Sequence, residues 1–201
     1  MYVHEISTVV VEIPKCASTS LISAITSKYN VSIDGMHLAL HQHYNRGFDI
    51  QSSVAVIRNP MDRLRSAANF SIQKLGYGQR LEYFRDELLE SLERKVPSYH
   101  TAAFYPQYSF VNADAPINLY SLKNIDVMLS DLGIDDHAPV RNASNDGMSL
   151  DEILDVFGEQ FVKEFYSLDF MLYDRVSSIG DRCLHIESAS DYILLLKGMT
   201  K

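Results

Sequence analysis

The sequence predicts an α/β fold of three layers, a central parallel sheet with helices on its faces. Two β-rich apolar runs, Val9-Val10-Val11 and Ser53-Val54-Ala55-Val56-Ile57, each reach a proline within a few residues and then give way to a helical pattern. Strands that alternate with amphipathic helices pair in parallel, because the crossover helix carries the chain back to the same end of the sheet. No internal repeat, low-complexity tract or Gly/Pro/Ser-rich linker interrupts the pattern, so the 201 residues are expected to form one unit, 1–201, with a core of fair size.

Taken in order, the first strand ends at Glu12-Ile13-Pro14, and Leu21, Ile22 and Ile25 mark the first helix. A short strand with a turn is expected over Asn30 to Asp34, then an extended segment through His41-Gln42-His43. The second strand ends at Ile57. Asn59 is a favourable N-cap and Pro60 suits the first helical position, where its missing N–H is no loss. Met61, Leu64, Ala68, Ile72 and Leu75 then repeat at helical spacing up to Gly76 or Gly78. A further helix is expected from Gln79 to Lys95, irregular aromatic-rich structure from Ser98 to Val111, and a strand over Ile117 to Tyr120. Leu122, Ile125, Leu129 and Leu132 suggest a helix stopped by Gly133. Ser149 with Glu152 forms a capping box for an apolar helical face that runs to Leu168, as one helix or as a pair broken near Gly158. Residues 175–201 carry no signal that assigns them a role.

Composition narrows the partners. A formal charge of −8 argues against general nucleic-acid binding and against a long polyanionic acceptor. A small anionic ligand needs only a few converging basic groups, and Lys15, Arg58 and Arg141 are the candidates. No apolar run reaches the roughly 20 residues of a membrane helix, and the N-terminus lacks a signal-peptide layout. Two cysteines, Cys16 and Cys183, make neither a disulfide framework nor a metal cluster. The expectation is a soluble cytoplasmic protein, of bacterial or viral origin.

The loop Pro14-Lys15-Cys16-Ala17-Ser18-Thr19-Ser20 carries the main chemical signal. The first turn of a helix leaves backbone N–H groups unpaired at the positive end of the macrodipole, which suits a phosphate or sulfate. Cys16 and Ala17 are small enough to let an anion approach, Ser18, Thr19 and Ser20 offer hydroxyls, and Lys15 adds a full charge. The P-loop pattern G-x-x-x-x-G-K-[ST] is not matched, since the loop has no glycine and its lysine comes too early. A buried strand entering a Ser/Thr-capped helix accounts for the same residues. Arg58 leaves the second strand just where its helix begins, so Lys15 and Arg58 both fall at strand ends, where α/β sheets bind ligands. In an extended segment His41 and His43 project to one face. A general base, a zinc-ligand pair and satisfied structural histidines all remain open for them. His37 reads as structural.

The Pro14 to Ser20 loop resembles the 5'-phosphosulfate loop of sulfotransferases that use 3'-phosphoadenosine 5'-phosphosulfate (PAPS), most closely the carbohydrate enzymes of the uronyl 2-O type. Arg58-Asn59-Pro60-Met61-Asp62-Arg63-Leu64-Arg65-Ser66 is similar to their 3'-phosphate segment. The resemblance implies that residues Lys15 to Ser20 hold the phosphosulfate and that Arg58 and Ser66 contact the 3'-phosphate. It further implies that Val140-Arg141-Asn142-Ala143-Ser144 closes over the nucleotide, Arg141 included. His41-Gln42-His43 resembles the family's His-x-His, which makes His43 the base, with His41 assisting and Lys15 stabilising the leaving oxygen; His100 is a reserve base. His100 with Pro106-Gln107 resembles a mid-chain segment of the family, and Tyr166-Ser167-Leu168-Asp169-Phe170 resembles its closing helix, of structural role. The likeness spans about residues 8 to 173. It implies a P-loop-like three-layer fold, PAPS as donor, 3',5'-diphosphoadenosine as product, no metal, and the hydroxyl of a sugar, glycolipid or small metabolite as acceptor. The rival expectations are a small-molecule kinase and a nucleotide-binding protein without turnover.

Overall fold

The structure is a computed structural model that describes residues 1–33, 37–74, 81–94, 101–135, 147–188 and 191. It contains a six-stranded sheet: β1 (Tyr2–Val3), β2 (Thr8–Val11), β3 (Val31–Ser32), β4 (Ser52–Ile57), β5 (Ile117–Ser121) and β6 (Leu184–Ile186), in the order β3-β1-β2-β4-β5-β6. The expected parallel sheet is the centre only. β2, β4 and β5 are parallel, whereas β1, β3 and β6 pair antiparallel at the edges, so the sheet is mixed. The edges differ because β1 reaches β2 through a tight 3-10 turn at His4–Ile6, and antiparallel pairing needs no crossover. β6 lies in the stretch that the sequence left without a role.

The helices are α1 (Ser18–Thr26), α2 (Leu40–Tyr44), α3 (Pro60–Lys74), α4 (Leu81–Arg94), α5 (Tyr108–Val111), α6 (Ile125–Asp131), α7 (Leu150–Phe157), α8 (Glu159–Phe165) and α9 (Ser167–Ser178). Their starts follow the local chemistry. Asn59 Oδ1 accepts from the N–H groups of Met61 (2.9 Å) and Asp62 (3.3 Å) ahead of α3. Ser149 and Glu152 exchange capping bonds ahead of α7. α7 and α8 part at Gly158, whose φ of 84° lies in the region that favours glycine. The 98–111 stretch is irregular where described, apart from a 3-10 turn at Ala102–Phe104 and the single turn α5.

The core has two parts. Val9, Val10 and Val54–Ile57 of the sheet pack with Leu21 and Ile25 of α1, Met128 and Leu129 of α6, and Leu172 and Val176 of α9. A second cluster joins Leu64 and Ala68 of α3, Phe84 and Leu88 of α4, Phe104, Ile153 and Phe157. Each such branched or aromatic side chain contributes roughly 1.5–3 kcal/mol on burial. Tyr105 touches both clusters.

The topology also fixes where a ligand crevice falls. β2 and β4 are neighbours, yet the chain leaves β2 towards β3 at one edge and leaves β4 towards β5 on the other side. Connections that part in this way open a crevice at the carboxyl ends of the two strands. The loops after Val11 and Ile57 flank it.

Candidate functional site

The loop after β2 is held in a strained form. Lys15 and Ala17 both take left-handed backbone conformations, φ 66° and 62°, which cost residues with a Cβ roughly 1–2 kcal/mol each. The chain thus adopts glycine-type conformations without a glycine, and neighbours hold it there. Arg63 Nε donates to Pro14 O (3.0 Å), Arg58 Nη1 to Lys15 O (3.1 Å), Ser18 Oγ to Ile13 O (2.8 Å), and the Cys16 thiol to Gln107 Oε1 (3.1 Å). α1 follows with Ala17 at its N-cap and no side-chain capping bond there, so its first-turn N–H groups lie at the positive end of the helix. Of the three expected hydroxyl donors, Ser18 is engaged with the loop, Thr19 is exposed and Ser20 is buried. Cys16 is buried, and burial pushes its thiol up to about 11, which makes it a small packing residue rather than a thiolate.

The second arm comes from β4. Arg58 follows the last strand residue, and its guanidinium reaches Lys15 O across the crevice. The Lys15 ammonium sits 4.0 Å from the centre of the Phe70 ring, a cation–π contact. Burial, and then the charge of Arg58, bring its pKa down to about 8. No carboxylate among the described residues pairs with Lys15. Ser66 is partly exposed and lies one turn before Phe70 on α3, hence on the same helical face. The structure therefore brings Lys15, Arg58 and the Ser66 face to one place.

Sequence reasoning missed what supports this arrangement. Arg63 is 1% exposed, and besides Pro14 it donates to the carbonyls of Ala103 (3.0 Å) and Tyr105 (2.7 Å). Asp169 is 0% exposed and accepts from the N–H groups of Gln107 (2.7 Å) and Tyr108 (2.9 Å). Burial pushes its carboxyl up while the Arg63 charge pulls it down. Tyr166 Oη donates to Phe104 O at 2.5 Å. Arg63, Tyr166 and Asp169 together fix the irregular segment 103–108. Tyr166 and Asp169 entered the sequence reading only through the resemblance, as part of a closing helix of structural role, and their partners were not legible.

The histidines differ from the expected picture. His41 and His43 lie in α2, where residues two apart diverge by roughly 200° around the axis, not on an extended strand where they would share a face. His41 is exposed, while His43 is 3% exposed and its Nε2 has no hydrogen-bond partner among the described residues. Burial, then the chain's amino-terminal charge and Arg46, hold its pKa down to about 4. His37 Nδ1 bonds Glu12 O at 2.7 Å and is structural. His100 and Arg141 lie outside the described residues, as does the 140–144 loop.

Among the described residues no His/Cys/Asp/Glu group of three or more is placed to hold a metal ion, and no helix is long and apolar enough to cross a membrane. No family model, curated protein or solved structure matches the chain. The arrangement itself is suited to an anion: two cationic side chains and a helix N-terminus converge, with no carboxylate among the described residues paired to the lysine.

Proposed function

We propose that the protein is a sulfotransferase of P-loop-like three-layer architecture, moving a sulfuryl group from PAPS to an acceptor hydroxyl of a carbohydrate or glycoconjugate. The observation that carries this reading is the strained loop that sets Lys15 opposite Arg58 at the ends of β2 and β4. In the reaction a base removes the acceptor proton and the oxygen attacks sulfur in line. The bond from sulfur to the 5'-phosphate oxygen breaks, and 3',5'-diphosphoadenosine departs with the electron pair. Lys15 and the N–H groups of residues 17 to 19 oppose the charge that builds on that oxygen. Arg58, with Ser66, takes the 3'-phosphate; Arg141 belongs to the same reading as a further nucleotide contact.

His43 is the base in this reading. Its low pKa keeps the imidazole neutral near pH 7, and its Nε2 is uncommitted among the described residues. Burial, however, requires α2 to shift before an acceptor reaches the ring. That burial favours one alternative, a protein that binds the nucleotide without turning it over.

Calorimetry with 3',5'-diphosphoadenosine against ATP plus Mg²⁺, followed by labelled-sulfate transfer to hydroxyl acceptors, tests both. Preferential binding of diphosphoadenosine with transfer is the expected result, and ATP binding as well or better overturns the proposal. Tight diphosphoadenosine binding with no transfer selects the alternative. His43→Ala is expected to abolish transfer and spare nucleotide binding; unchanged transfer moves the base to His41 or His100.

A further inference from the structure

We infer that Gln107 is the positioning residue of the anion site, the group that sets Arg58 and the Cys16 turn in register so that both cationic side chains meet one anion. The inference rests on the proposed site but needs only that the site binds an anion. Gln107 comes from neither strand-end loop; it enters from the irregular segment 103–108 and is 0% exposed. Its carboxamide makes three bonds. Oε1 accepts from the Arg58 N–H (2.9 Å) and from the Cys16 thiol (3.1 Å), and Nε2 donates to Arg58 O (2.8 Å).

The sheet shows why this matters. The β4–β5 ladder closes at Ile57 with Ser121, and the β2–β4 ladder at Val11 with Ala55. Arg58 is therefore the first residue beyond the sheet, where both of its main-chain groups would lack a strand partner. The Gln107 side chain supplies the N–H and C=O that a neighbouring strand would have supplied. A carboxamide offers a donor and an acceptor side by side, as a peptide group does. The same oxygen takes the thiol of Cys16, next to Lys15, so one side chain ties both halves of the crevice. Its own position is rigid, because Asp169 holds the Gln107 and Tyr108 N–H groups while Arg63 and Tyr166 hold the carbonyls before them.

A positioning role predicts coupling to Arg58, which a generally structural role does not. The test is a double-mutant cycle of Gln107→Leu with Arg58→Ala, read by calorimetry with two probes, 3',5'-diphosphoadenosine and inorganic pyrophosphate, with unfolding midpoints as a check on folding. Gln107→Leu is expected to weaken binding about tenfold or more when Arg58 is present, and less than about twofold when it is absent. Gln107→Met carries the cycle where the leucine variant does not fold. Unchanged affinity in the single variant, or equal losses in both backgrounds, overturns the inference. If the wild-type protein binds pyrophosphate but not diphosphoadenosine, the nucleotide reading fails and the cycle on pyrophosphate still decides the role of Gln107. If it binds neither, both readings fall.

Discussion

Arg58 and Arg63 stand little more than a helical turn apart, on either side of the Asn59 cap, and the protein uses them in opposite ways. Arg63 is enclosed, its guanidinium divided among three backbone carbonyls from two segments, with the buried Asp169 nearby to balance its charge. Arg58 is only partly buried, and among the described residues its guanidinium makes one hydrogen bond, to Lys15 O, while its charge acts on the Lys15 ammonium beside it. A guanidinium saturated by backbone acceptors holds structure. One beside a lysine that has no carboxylate partner among the described residues raises the local positive potential, which favours a counter-ion. The contrast separates the clasp at 103–108, whose bonds are saturated, from the loop at 14–18, which takes the anion under the proposed function.

The comparison breaks most readily at Arg63. Arg63→Ala strips three carbonyls of their donor and leaves Asp169 without its cation, and should cost about 3–5 kcal/mol in a urea unfolding titration. A loss below about 1 kcal/mol would show that the three Arg63 bonds do not hold the 103–108 segment. Arg58→Ala should do the reverse, leaving the unfolding midpoint nearly unchanged while weakening binding of 3',5'-diphosphoadenosine by about 1.5–3 kcal/mol in calorimetry.

Lys15 sharpens the contrast through pH. Because its amine titrates near 8, anion affinity should fall as pH rises from about 7 to 9 and the ammonium is lost. The stability effect has the opposite sign. The folded-state pKa lies below the unfolded value of 10.5, so the unfolded chain holds the proton more firmly, and Lys15 opposes folding below pH 8 but progressively less above it. Lys15→Met should therefore weaken anion binding roughly tenfold or more while slightly raising the melting temperature at pH 7. A melting temperature that falls would show the lysine to be structural. The smallest effect expected is at Ala17, where glycine relieves the left-handed conformation and should add about 0.5–1 kcal/mol of stability.

Much of this was legible before the structure. The strand at Val9 to Val11, the Asn59-Pro60 helix start and the Ser149–Glu152 box are local signals, each decided within a few residues by propensity and capping, whereas the sequence left open whether the helix breaks at Gly158. Lys15 and Arg58 were legible for the same reason, since strand ends can be read from the chain. The histidine pair misled because the short turn α2 has too few residues to show a helical period, and alternation was read in its place.

The sequence alone thus determined the α/β alternation, the basic residues at the two strand ends, and the helix start that faces them. Tertiary structure alone decided that the sheet edges are antiparallel, that Lys15 and Ala17 carry strain without a glycine, that His43 is buried, and that Arg63 and Gln107 serve the loop. The reason is range. Gln107 meets Arg58 across 49 residues and Asp169 across 62, and such pairings are settled by packing of whole elements rather than by any local preference. An arginine reads the same in the chain whether it ends among carbonyls or at an open crevice, and only the fold tells the two apart.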